Sequence, residues 1–285
     1  MISLDAAAFC LQWASGGLLF LWVTTRRREV SLGYGWLLRG SYGLIALLGA
    51  VIGIGLLNPR PVRDGASIVV ALVAFVVLGI SIAQRKAGVS GQAALAEARS
   101  ERVAAMTGID RTAAAKVSGA REFDPRLDLI APVIGAVGIV DAAIAAGGPH
   151  WLAIARFLVG AAFLGVITDA MLLGHWYLVQ PGMPRGPLLE LVRWVMWLWV
   201  PELVLLLIPI GMVSAINGTI DDGYKGLLTW FWVASAITTL GLAVTTRLAL
   251  KERAYSAVMA ATGLLYLAIL TAFSMDLVAR ALLAP

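Results

Sequence analysis

Cysteine is almost missing from this sequence: Cys10 is the only one in 285 residues. A disulfide within the chain and a cysteine-based metal cluster are thereby excluded. Histidine is nearly as scarce. The two present, His150 and His175, fall near opposite ends of apolar runs, so a haem ligated by two histidines of this chain is not expected. Charged residues make up only 14% of the chain, and no lysine lies inside a long apolar run, which removes a retinal Schiff base. There is no phosphate-binding glycine loop, no His-Glu-x-x-His, no serine elbow and no paired-aspartate motif of the lipid-linked transferases. No covalently bound cofactor and no metal site is expected.

What is present is apolar length. Hydrophobic residues make up 60% of the chain, and the mean hydropathy is +0.87. A hydrocarbon core of about 30 Å needs roughly 20 mostly apolar helical residues, and about eight segments meet this length: 6–25, 36–57, 65–83, 129–147, 151–179, 187–214, 227–246 and 255–280. Turn residues punctuate them at Asn58-Pro59-Arg60-Pro61, Gly147-Gly148-Pro149, Pro181-Gly182-Met183-Pro184 and Asp221-Asp222-Gly223. The pattern predicts an all-α, polytopic transmembrane helix bundle that forms a single membrane domain over 1–285.

The basic residues orient it. If the first helix ends in the cytoplasm at Arg26-Arg27-Arg28, all of the 22 basic residues except Arg60, Arg63, Arg156, Lys225 and Arg280 fall on the cytoplasmic side. An even number of helices then places both termini outside. The pI of 9.7 is read as this topology signal. Met1–Asp5 lacks a basic region ahead of the first apolar run, so no cleaved signal peptide is expected. The Ala-, Gly- and Arg-rich composition suggests a bacterial cell (inner) membrane.

The stretch 84–128 is too rich in charge to lie in lipid and reads as a cytoplasmic helical insertion. Ala93–Met106 has helix-forming composition, and Asp110 is placed to cap a second helix through Lys116. Thr107-Gly108-Ile109-Asp110 followed by Ala113-Ala114-Ala115-Lys116 approaches a phosphate-gripping helical hairpin, but an acid stands where the second glycine belongs. Nucleic acid is therefore not the expected partner; a partner subunit or the lipid headgroups are.

Ionisable side chains at membrane depth are the best functional clue, because they are costly there. Asp141 and Arg156 flank the Gly147–His150 turn at similar depth and predict an ion pair. Asp276 and Arg280 form an i,i+4 pair, and Glu190 and Arg193 stand three apart on one face. Asp169 shares a face with Gly165, Ala162 and Ala161, small residues that mark a helix contact. The block Gly174-His175-Trp176-Tyr177 lies at the inner headgroups. Together with Asp169 and Arg193, it suggests a site for a polar, quinone-type headgroup, with histidine or carboxyl taking a proton. Pro201 predicts a kink, Pro209 a second, and Glu202 a carboxyl near the bilayer centre. Ser235, Thr238, Thr239, Thr262 and Tyr266 add polar groups on the last two helices. Gly49-x-x-x-Gly53 marks close packing, whereas the third helix reads as nearly pure aliphatic. The polar chemistry is thus expected in the last four helices.

Three functions fit these residues. The chain is an integral membrane subunit of a redox- or proton-coupled complex, with the quinone-type site near the cytoplasmic face and Asp169 and Glu202 relaying protons. Alternatively it is a secondary transporter or channel with a midplane carboxylate. The third reading is a structural or assembly subunit whose charges only lock helices together.

Overall fold

The structure is a computed structural model, described for residues 5–94, 97–98, 101, 121–180, 183–208, 211–252 and 254–283. Among the described residues it is helical, without strands. Its long helices are α1 (Ala6–Thr25), α2 (Leu32–Gly55), α3 (Pro61–Ala83), α4 (Ile130–Ala145), α5 (His150–Val179), α6 (Gly186–Leu207), α7 (Leu227–Ala249) and α8 (Tyr255–Leu283). A 3-10 turn, Pro125–Leu129, leads into α4, and a one-turn helix, Val213–Ile216, follows α6. Seven of these helices are long and apolar enough to cross a membrane; α6, which carries Glu190, Arg193 and Glu202, is not among them. The protein is of the multi-pass membrane class.

Local chemistry explains the helix ends. Asp5 caps α1 by accepting from the amides of Ala7 and Ala8 at 3.0 and 3.1 Å, which satisfies two donors that a helix start leaves over. Pro61 opens α3, where its missing N–H costs nothing. At α7 the chain enters through Gly226 at φ 84°, a conformation that favours glycine. Asp222 closes this entry with four backbone amides: Tyr224 and Gly226 on one oxygen, Leu228 and Thr229 on the other, at 2.8–3.1 Å. Partial burial alone would raise the Asp222 pKa, but these amides hold it below the usual carboxylate range.

Packing follows one scheme twice. In the first half α1 packs on α2, α2 on α3, α3 on α4, and α4 back on α1. In the second half α5 packs on α6, α6 on α7, α7 on α8, and α8 back on α5. The two rings are joined chiefly by α1 against α5, the most enclosed helices of the molecule. At their crossing the backbones touch: a Cβ on Gly16 would overlap the carbonyl of Ala161, and one on Gly165 would overlap the backbone of Gly16. The small-residue face of α5 is thus a contact surface for α1, with Gly165 and Ala161 in it, while Ala162 stays partly exposed.

Several sequence boundaries shift. α2 begins at Leu32, before the expected 36, and α6 ends at Leu207, before the expected 214. The second kink expected at Pro209 falls outside the described residues. In the 84–128 stretch, 90–94, 97–98 and 101 are helical, and the second helix expected from Asp110 through Lys116 lies outside the described residues. The base of the stretch is tied down: Arg28 pairs with Glu122 at 2.6 Å, and Glu122 accepts from the Ser90 amide at 2.9 Å.

Candidate functional site

Buried ionisable groups gather in three places. The first is the end of the second ring where α8 finishes. Arg280 holds Asp276 through two bonds of 2.7 and 3.1 Å, as their i,i+4 spacing predicts. The Arg280 guanidinium lies 5.4 Å from the ring centres of both Phe9 and Phe157. Glu202 faces this pair. A Cβ on Gly160 would stand 3.6 Å from Asp276 Oδ1, 3.7 Å from Arg280 Nη2 and 3.8 Å from Glu202 Oε1, so the three side chains converge where α5 has no side chain. Gln12 donates to the carbonyl of Phe157 at 2.6 Å. Three enclosed atoms here make no hydrogen bond within the described protein: Glu202 Oε2, Arg280 Nη1 and Gln12 Oε1.

One expectation is corrected at this end. Arg156 does not pair with Asp141; its Nε donates to the Leu205 carbonyl at 2.7 Å and its Nη2 to the Ile208 carbonyl. Those carbonyls are free because α6 ends there, and a guanidinium supplies the donors the helix terminus lacks. Asp141 stays partly exposed at the bundle edge. Glu202 lies about a turn and a half before the end of α6, and the helix itself runs on through Pro201.

The second place is the α1–α5 crossing. Asp169 is fully buried. Its Oδ1 accepts from the Tyr42 hydroxyl, and its carbonyl accepts from Tyr34 at 3.2 Å. Asp169 Oδ2 makes no hydrogen bond within the described protein. Next to it, Trp13 Nε1 donates to Thr168 at 3.0 Å. Asp169 therefore faces α1 and α2, not the last four helices. Tyr34 and Tyr42 carry no motif; the one local signal they give is their spacing of eight residues along α2.

The third place is the first ring, which the sequence marked as poor in polar groups. At the end where α2 begins, Arg39 holds Asp128 through two bonds of 2.7 and 2.8 Å, both side chains buried, under the Phe123 ring at 4.4 Å. At the opposite end Arg63 bonds Asp64 at 2.7 Å and Asp5 at 2.6 Å. Gly53 makes room for this pair, and Gly49 packs against Cys10. α3 therefore buries charge in its first turn, while Val70, Ala71, Ala74 and Val77 keep the rest of its buried face largely aliphatic.

The residues expected to build a quinone-type site are not brought together. His175 is exposed and meets the Tyr266 hydroxyl at 3.1 Å. Trp176 points inward and donates to Ser31 at 2.9 Å. Tyr177 donates to the Pro184 carbonyl. Arg193 is exposed on another helix. Successive residues of a helix diverge by about 100°, so adjacent aromatics scatter unless a loop gathers them. Glu190 is also differently engaged: it pairs with Arg26, and with Arg27 at 3.1 Å, not with Arg193. On the last helices Thr239 bonds Thr271 at 2.8 Å and Thr262 bonds the Gly174 carbonyl at 3.0 Å, so these hydroxyls stitch helices together. Among the described residues no group of three or more His, Cys, Asp or Glu is placed to hold a metal ion.

Set against protein-family models, curated proteins and solved structures, the chain matches none of them.

Proposed function

We propose that this chain is a proton-handling membrane protein that acts as a subunit of a proton-coupled complex, with Asp169 and Glu202 as its proton carriers. The observation that carries the reading is a pair of enclosed carboxyls, each with one oxygen unbonded in the protein and neither in ion-pair contact with a cation among the described residues. Intramembrane acids of this kind are expensive to keep and mark proton routes by default. Asp169 stands roughly 15 Å from the inner end of α5, and Glu202 near the outer end of α6. Gln12, Ser15, Trp13 and Thr168 supply polar groups between these levels on α1 and α5. All eight long helices span in this reading, with both termini outside, and the 84–128 stretch lies in the cytoplasm of a bacterial inner membrane, as the arginine-rich inner ends favour. A quinone headgroup is left out of the proposal, because its expected residues diverge.

The test is proton uptake into liposomes that hold the purified chain, driven by a potassium diffusion potential and read with an internal pH dye. Asp169→Asn and Glu202→Gln should each bring uptake down to the level of empty liposomes. In infrared difference spectra each substitution should also delete one carbonyl band of a protonated carboxyl. Uptake equal to empty liposomes for the parent chain, with no such band, would overturn the reading. Substitutions that lower only thermal stability would favour a structural role, which the paired arginines of the first ring already fit.

A further inference from the structure

A shallow groove of about 220 Å³ on the outer surface of α6 is lined by Glu190, Arg193, Trp194 and Trp197. These positions form an i, i+3, i+4, i+7 stripe, so they lie on one helix face in order of depth. Glu190 is nearest the end of the bundle that carries Arg26 and Arg27, and Trp197 is about two turns deeper. The groove does not depend on the buried carboxyls.

Its charges are unevenly used. Both carboxylate oxygens of Glu190 are taken, one by Arg26 and the other by Arg27. Arg193 has no ion pair or hydrogen bond among the described residues and is exposed. Three guanidiniums thus surround one carboxylate, which leaves a net positive face. The indoles deepen the site. Trp194 packs edge-on against Phe20 of α1, ring centres 6.0 Å apart, and Trp197 is 71% exposed. Neither indole N–H meets an acceptor among the described residues, whereas Trp13, Trp36, Trp176, Trp199 and Trp232 each do.

We infer that this groove binds the phosphodiester headgroup of an anionic phospholipid. Arg193 meets the phosphate, with Arg26 and Arg27 adding attraction. The Trp194 and Trp197 N–H groups donate to the glycerol ester oxygens, and their rings lie along the upper acyl chains. The order of the stripe matches the order of a lipid, with charge at the headgroup level and aromatic surface one to two turns deeper. A guanidinium with no protein partner at this level gains most from a phosphate, which it can grip with two parallel bonds. Basic pockets at helix edges on the arginine-rich side recognise lipid headgroups in this way.

The test is native mass spectrometry of the full chain released from nanodiscs of equal parts phosphatidylglycerol and phosphatidylcholine. The parent chain should retain phosphatidylglycerol several-fold over phosphatidylcholine. Arg193→Ala should abolish this preference, Arg193→Lys should keep part of it, and Trp197→Ala should reduce total retention. Thermal unfolding of each variant in phosphatidylcholine alone should match the parent, which separates loss of lipid from loss of folding. Equal retention of the two lipids, or an unchanged preference in Arg193→Ala, would overturn the inference. So would stabilisation by inorganic phosphate alone, which would mark a free-anion site, or Arg193-dependent retention of a quinone in place of the phospholipid.

Discussion

At Arg39 and Asp128 two ions share a space that water does not reach, and each is tolerable only because of the other. Arg39→Ala should therefore be far more damaging than the loss of one surface contact. It leaves the Asp128 carboxylate enclosed without a cation, a change that costs about 3–5 kcal/mol in comparable buried pairs. The measurement is denaturant unfolding in mixed micelles. Arg39→Met combined with Asp128→Leu should recover most of the loss, since neither charge then remains. If the double variant were as unstable as Arg39→Ala, the pair would matter through its exact hydrogen bonds and not through charge compensation. The same comparison explains what sequence reading could find among the ion pairs. Asp276–Arg280 is local, four residues apart on one helix face. Arg39 and Asp128 are separated by 89 residues, and Arg26 and Glu190 by 164; no local spacing announces either.

Among the elements, α7 begins at a cap held by one carboxylate. The Asp222 carboxyl is favoured in its ionised form by four amides, so its folded pKa lies below its unfolded one. Its stabilising effect is then complete above the unfolded value of about 3.9 and fades as pH falls through the lower folded value. Protection factors for amide exchange at the first turn of α7, corrected for the intrinsic rate, should be high near neutral pH and fall on strong acidification. Asp222→Ala should show low protection at every pH and lose that dependence. A parent chain whose α7 amides show the same protection across this range would refute the cap's role. Helix existence was legible from apolar length, because bilayer thickness demands it. Helix ends were less so. The expected sixth segment ran to residue 214 since Ile208, Ile210, Met212 and Val213 are apolar, yet the helix stops at Leu207, where Arg156 caps its carbonyls from another helix. The stop had a local mark in Pro209, since the residue before a proline is pushed to the extended backbone that Ile208 adopts; the donor from another helix left none.

At the scale of the molecule, the described residues form two four-helix rings that meet along α1 and α5. No repeat in the sequence announces this: the helices agree in order of packing, not in residues. Its point of least tolerance is predictable. Gly16→Ala or Gly165→Ala would set a methyl group into the backbone of the opposite helix, and either should sharply lower the melting temperature in detergent or prevent folding. Gly241→Ala and Gly263→Ala, where an added Cβ meets nothing within 4 Å, should be neutral or raise stability by roughly 0.5–1 kcal/mol. If all four substitutions behaved alike, the crossing would not be the seam that unites the rings.

That bare crossing also limits how the two halves can move. Most neighbouring helices are cushioned by side chains that can change rotamer, so their separation is adjustable. Here main chain rests on main chain, and no cushion is left to compress or expand. Closer approach is barred there, which favours rotation and sliding of one half against the other, as for two rods pressed together at a single point. A swivel or a slide about Gly16 and Gly165 is therefore the motion this contact favours between the halves.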